Sequence, residues 1–150
     1  MNRFLRYAAC AFVALTSAGC DEKLSSITGP TPGLAPTFSS IQQNIFTASD
    51  SAGRGACTSC HTSAGGRVPP AGMDLGSPSA HAQLVNVASN AKPGAIRVIP
   101  GDPENSYFIH KLEGRSGMVG LRMPRNGPPF LTDGQVLVIK RWIELGAPNN

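Results

Sequence analysis

Apolar positions along the chain form one mostly apolar run of twelve and then several spaced sets. The run, Tyr7–Ala18, is preceded by Arg3 and Arg6 and followed by small residues. It is too short to cross a bilayer as a mature helix, and this order of charge, apolar stretch and small residues predicts an export signal over Met1–Gly19. The competing reading is a buried N-terminal helix. Further on, Thr37 caps an expected helix whose Phe38, Ile41 and Ile45 recur at helical spacing. A weaker helical pattern covers Ala80–Ser89 through Leu84, Val85 and Val87. Another starts at Asp102-Pro103, carries Tyr107, Phe108 and Leu112, and stops at Gly114. The clearest begins at Thr132, with Gln135 at capping-box spacing. It sets Val136, Ile139, Trp142 and Ile143 on one side and ends at Gly146 and Pro148. No alternating apolar pattern of useful length occurs, so strands are not expected and the class is all-α.

Between the signal and the first helix, Asp21–Pro36 mixes Ser, Thr and Gly with Pro30, Pro32 and Pro36. This composition reads as a tether, with a reach of roughly 50 Å when extended. The expected organisation is therefore a signal over 1–19, a tether over 20–36 and one domain over 37–150. The chain has 17 Gly and 13 Pro in 150 residues, which implies long irregular joins between the helices. Charged residues make up only 15%, with no acidic or basic block, so a nucleic-acid arm is not expected. Removing Arg3 and Arg6 with the signal leaves eleven basic against nine acidic residues, a formal +2, so the net charge says little about partners. A repeat array, a coiled coil and a multi-span membrane protein are excluded.

The chemistry concentrates in Cys57-Thr58-Ser59-Cys60-His61, the C-x-x-C-H spacing of covalent haem attachment. Sulfurs three residues apart on a helical turn face one side, suited to bonding the two vinyl groups of one haem. His61 then presents an imidazole nitrogen to the iron. Random placement of four Cys and three His in this length gives roughly 0.002 such patterns. Three rival readings compete with haem. A redox C-x-x-C would need a strand-helix-strand setting. A zinc site would draw on Cys57, Cys60, His81 and His110. A Cys57–Cys60 disulfide would close a small strained loop and leave His61 without a role.

For the sixth iron position Met123 is the candidate, because the Gly- and Pro-rich stretch Leu121–Pro129 can bring a thioether to the haem face. His/Met ligation raises the reduction potential relative to two imidazoles. Alternatives remain: Met123 as core packing, Met118 as the thioether, or His110 in a bis-His haem. His81 is expected to be solvated and Met73 an apolar filler. His61 is expected to donate its second ring N–H to a carbonyl of the Val68-Pro69-Pro70 turn. Arg122 and Arg125 are either propionate partners or ordinary solvated arginines. Trp142, Tyr107 and Phe130 either line the haem pocket or pack the core.

Two resemblances follow from these residues. Ser17-Ala18-Gly19-Cys20 resembles a bacterial lipoprotein lipobox, which implies lipidation at Cys20 and anchoring to a membrane without spanning it. Ser17 stands where Leu is usual, and the alternative is ordinary cleavage that leaves Cys20 a free thiol. The stretches Phe38–Phe46, Cys57–His61, Val98–Gly114 and Arg122–Pro148 are together similar to small bacterial monohaem cytochromes c. That resemblance implies one haem c, thioethers at Cys57 and Cys60, His61 as proximal and Met123 as distal ligand. It also implies a closing helix packed across the N-terminal helix. The segment Asp50–Ala56 is longer and more polar than the family pattern. The expected protein is an exported one-electron carrier, not an enzyme, held at the periplasmic side or cell surface by lipid at Cys20. Its partners are redox proteins and the membrane, with no nucleic acid. Two other functions compete: a haem sensor or small peroxidase with an open distal site, and a haem-free zinc or disulfide module on a lipid tether.

Overall fold

The computed structural model describes residues 33–76 and 78–150. The signal segment 1–19, Cys20 and most of the tether lie outside the described residues. Within them the chain is helical, with no strand and only three isolated bridges. The helices are α1 (Phe38–Ile41), α2 (Ala80–Leu84), α3 (Tyr107–Glu113) and α4 (Asp133–Glu144), joined by long loops with short 3-10 turns.

Helix α1 starts as the sequence indicates, with the Thr37 hydroxyl accepting from the Ser40 N–H at 3.3 Å. Its other free N–H groups are met from far along the chain. Phe38 donates to Asn150 Oδ1 at 2.9 Å and Ser39 to the Asn150 carbonyl at 2.8 Å. The next turn, Gln42–Phe46, is a π turn, closed by the Thr47 N–H donating to Gln42 O at 3.0 Å. This wider turn seats the adjacent Ile45 and Phe46 in the core together.

Helix α4 carries the full capping box: the Thr132 hydroxyl accepts from the Gln135 N–H at 3.2 Å, and Gln135 Oε1 from the Thr132 N–H at 3.0 Å. Val136, Ile139, Trp142 and Ile143 are buried, each contributing about 1.5–3 kcal/mol of apolar transfer. Gly146, at φ 92°, ends the run as expected. Trp142 donates its Nε1–H to Pro148 O at 2.9 Å, so the polar end of the ring is satisfied where the ring itself is fully buried. Helix α4 packs against both α1 and α3, with the Phe38 and Trp142 rings 5.5 Å apart.

Two expected helices are shorter than their apolar patterns suggest. Asp102 does not cap α3, because its carboxylate is used in a turn, accepting from the backbone and side-chain N–H groups of Asn105 at 3.0 and 2.7 Å. The helix begins at Tyr107 instead, where the Tyr107 and Phe108 N–H groups donate to Ile96 O and Arg97 O at 2.9 and 2.8 Å. Gly114, at φ 74°, stops it as expected. The Ala80–Ser89 helix ends at Leu84. The chain after it, with β-branched Val85 and Val87, leaves the helix and pairs with a later segment through bridges Val85 to Val98 and Ala88 to Ile96.

Candidate cofactor site

The free carbonyls at the end of the π turn receive the cysteine motif. Ile45 O accepts from Cys57 Sγ at 3.6 Å and Phe46 O from Thr58 Oγ1 at 3.2 Å. Arg54 fastens the approach to the motif. Its side chain is fully buried, pairs with Asp50 at 3.0 Å and donates to Ile45 O at 3.3 Å and Gly55 O at 3.2 Å. The polar Asp50–Ala56 segment is thus held by a buried arginine. Cys57–Ser59 forms one 3-10 turn, after which the His61 N–H donates back to Cys57 O at 2.9 Å.

Two adjoining cavities meet over this motif. The thiol lobe, about 470 Å³, is lined by Cys57, Cys60 and His61 and walled by Leu75, Phe108, Leu112 and Leu131. The cation lobe, about 460 Å³, carries Arg97, Tyr107 and Lys111. His61, Met73, Phe108, Leu112, Met123 and Arg125 line both. Each lobe has the size of a small-molecule pocket, about 300–1,000 Å³.

His61 Nδ1 lies 3.2 Å from Met73 O. A carbonyl only accepts, so this nitrogen holds the proton and Nε2 keeps its lone pair for a metal. The carbonyl belongs to Met73, three residues past the Val68-Pro69-Pro70 turn, because the 3-10 turn Pro70–Gly72, closed by the Met73 N–H on Pro70 O, brings Met73 to the ring. Burial lowers the His61 pKa, the Met73 carbonyl opposes this, and Arg97 reinforces it, so the neutral ring is favoured. Burial raises the Cys57 thiol above its usual range, with nearby Arg54 pulling the other way. Both cysteines are free thiols, so the disulfide between them is not formed.

Of the residues singled out in the sequence, Cys57, Cys60, His61 and Met123 all reach the thiol lobe. Met123 is anchored by its N–H to Lys111 O at 2.8 Å and packs on the core. Met118 lines neither lobe. His110 is turned away, with Nε2 donating to Glu104 O at 2.7 Å. His81 is half-buried rather than freely solvated: its Nε2 donates to Ala147 O at 2.9 Å and its ring stands edge-on to Phe38. Among the described residues no three of His, Cys, Asp and Glu converge, so the zinc set is not assembled. Met73 is more than filler, since it lines both lobes and lends its carbonyl to His61.

Arg122 is committed elsewhere, donating to Leu112 O at 2.7 Å and stacking over the Phe130 ring at 4.1 Å. Arg125 stays exposed at the rim of both lobes. Tyr107 lines the cation lobe, whereas Trp142 and Phe130 line neither. Phe108 and Arg97 were not legible as site residues. Phe108 follows Tyr107 on α3 and fits the same apolar count, and Arg97 has no motif around it.

Two thiols, one imidazole with a free Nε2, and thioethers on one apolar wall suit a tetrapyrrole iron, and the residues present fit that group. The chain matches no protein-family model, and no curated protein or solved structure is found to be similar to it.

Proposed function

We propose that this chain is an exported monohaem c-type cytochrome that carries single electrons. One observation supports the reading above the others: Cys57, Cys60, His61 and Met123, chosen by spacing and loop context, line one apolar cavity. Cys57 and Cys60 would hold the group through thioether bonds, and His61 Nε2 and the Met123 sulfur would be the ligands to its iron. The haem, when bound, supplies a one-electron iron couple.

The protein's part is to position and to keep dry. The Met73 carbonyl fixes the imidazole tautomer and makes the ring a better donor. The Thr58 hydroxyl, donating to Phe46 O, holds the motif against the core, while the Cys57 bond to Ile45 O positions the thiol only until its hydrogen is given up on attachment. Phe108, Leu112, Leu75 and Leu131 exclude water from the thiol lobe, which favours the less charged state of a redox centre. Met123, tied to α3 through Lys111 O, would close the iron to exogenous ligands and thereby disfavour catalysis. Lipid at Cys20 would hold the domain on its tether at the periplasmic side of a membrane or at the cell surface, within reach of redox partner proteins.

The test is a visible spectrum of the mature protein, co-expressed with the haem-attachment machinery, with and without carbon monoxide. A thioether-ligated c-type spectrum unchanged by carbon monoxide is the expected result. Rapid carbon monoxide binding by the reduced native protein would instead indicate a sensor or small peroxidase with an open distal site. A colourless protein would refute both.

A further inference from the structure

The two lobes differ in chemistry. Cys57 and Cys60 line only the thiol lobe, while Arg97 and Lys111 line only the cation lobe. The charged or titratable residues of the cation lobe are His61, Arg97, Tyr107, Lys111 and Arg125, and no carboxylic acid is among them. Arg97 is only 5% exposed. It donates to Gln83 O at 2.6 Å and Ala71 O at 2.8 Å, which orients the guanidinium without neutralising it. Among the described residues it forms no ion pair. The other buried arginine, Arg54, has its own carboxylate in Asp50.

A buried cation without a counter-charge is costly, and a guanidinium has five N–H donors, more than these two short bonds use. Lys111 is likewise held by neutral carbonyls, those of Val119 and Leu121, which leaves one ammonium hydrogen. Arg97 therefore faces an apolar lobe with no counter-charge of its own, and half-buried Lys111 adds a second positive charge beside it, so an anionic group is the complement of this lobe.

We propose that Arg97 and Lys111 form a carboxylate-binding subsite that takes a propionate of the tetrapyrrole whose opposite edge is bonded at Cys57 and Cys60. This assignment rests on the haem reading above. It gives the cavity a built-in direction, with sulfur chemistry in one lobe and anion recognition in the other. Arg97 also joins the Pro70–Gly72 turn to the end of α2 through Ala71 O and Gln83 O, so a bound carboxylate would brace two loop segments at once.

The test is redox-difference infrared spectroscopy of the holoprotein carrying haem labelled with carbon-13 at its carboxylates. The label identifies propionate bands and separates them from any small carboxylate taken up from solution. A label-sensitive carboxylate band that shifts in R97Q, is partly restored in R97K and stays put in R141Q is the expected result, Arg141 being exposed and paired with Glu144 on α4. Should R97Q fail to fold, K111Q carries the same readout and is expected to move the same band. A labelled band unmoved in both R97Q and K111Q overturns the subsite. So does a shift confined to unlabelled bands that follow added acetate. A pigmented protein with an unmoved band leaves the haem reading intact, whereas a colourless one removes both.

Discussion

At the scale of single residues, the site was legible where its chemistry is local in sequence. Cys57, Cys60 and His61 fall within five residues, so spacing alone marks them as a candidate set. Met123 was legible because it lies in a Gly/Pro-rich loop rather than on a helix face. Arg97 and Arg54 were not, because what makes them special is burial and backbone carbonyl partners. Those of Arg97 lie 14 and 26 positions away. The His61 partner was misassigned for the same reason, since a carbonyl leaves no signature in a side-chain pattern. Met123→Ala is expected to remove the thioether signature from the visible spectrum while the haem stays covalently attached. Survival of that signature would shift the ligand role to Met73, the other thioether on both lobes.

At the scale of elements, helix α4 was read almost to the residue because its cap, apolar face and stop signal agree. Thr132→Ala removes one half of its capping box and is expected to cost about 1 kcal/mol in chemical denaturation. Helices α2 and α3 came out shorter than expected because side-chain and backbone competitors claim their ends. Asn105 takes the Asp102 carboxylate, and Val98 pairs with Val85.

Lys140 on α4 is joined to Glu113 on α3 and to Glu104 just before it, and Arg115 grips both glutamates. Lys140, and then Arg115, hold the Glu104 carboxyl below its usual range. Since the folded value lies below the unfolded one, this contribution is present above about pH 4.5 and is lost as the pH falls through the lowered value. The melting temperature is therefore expected to drop on acidification in that window, and less so in E104Q. An acid limb identical in E104Q and wild type would show that the cluster contributes nothing measurable.

On the scale of the whole molecule, the all-helical class was legible from the absence of alternating patterns, and among the described residues no strand forms. The cavity was not. It arises where the 3-10 turns, the α3 face and the Leu121–Pro129 stretch enclose space, and a sequence pattern records contacts made rather than volume left over. Under the proposed reading, Cys20 and the tether would decide where the domain works. Cys20→Ser is expected to move the protein from the membrane to the soluble fraction with its spectrum unchanged, as followed by fractionation and absorbance. Equal membrane retention of both forms would remove the lipid anchor. The covalent link itself is tested most directly by intact mass after acidified-acetone extraction of protein made with the haem-attachment machinery. A polypeptide heavier by one haem, with the colour kept in the protein pellet, is the expected result. A mass equal to the bare polypeptide, or pigment released into the acetone, would contradict attachment at Cys57 and Cys60.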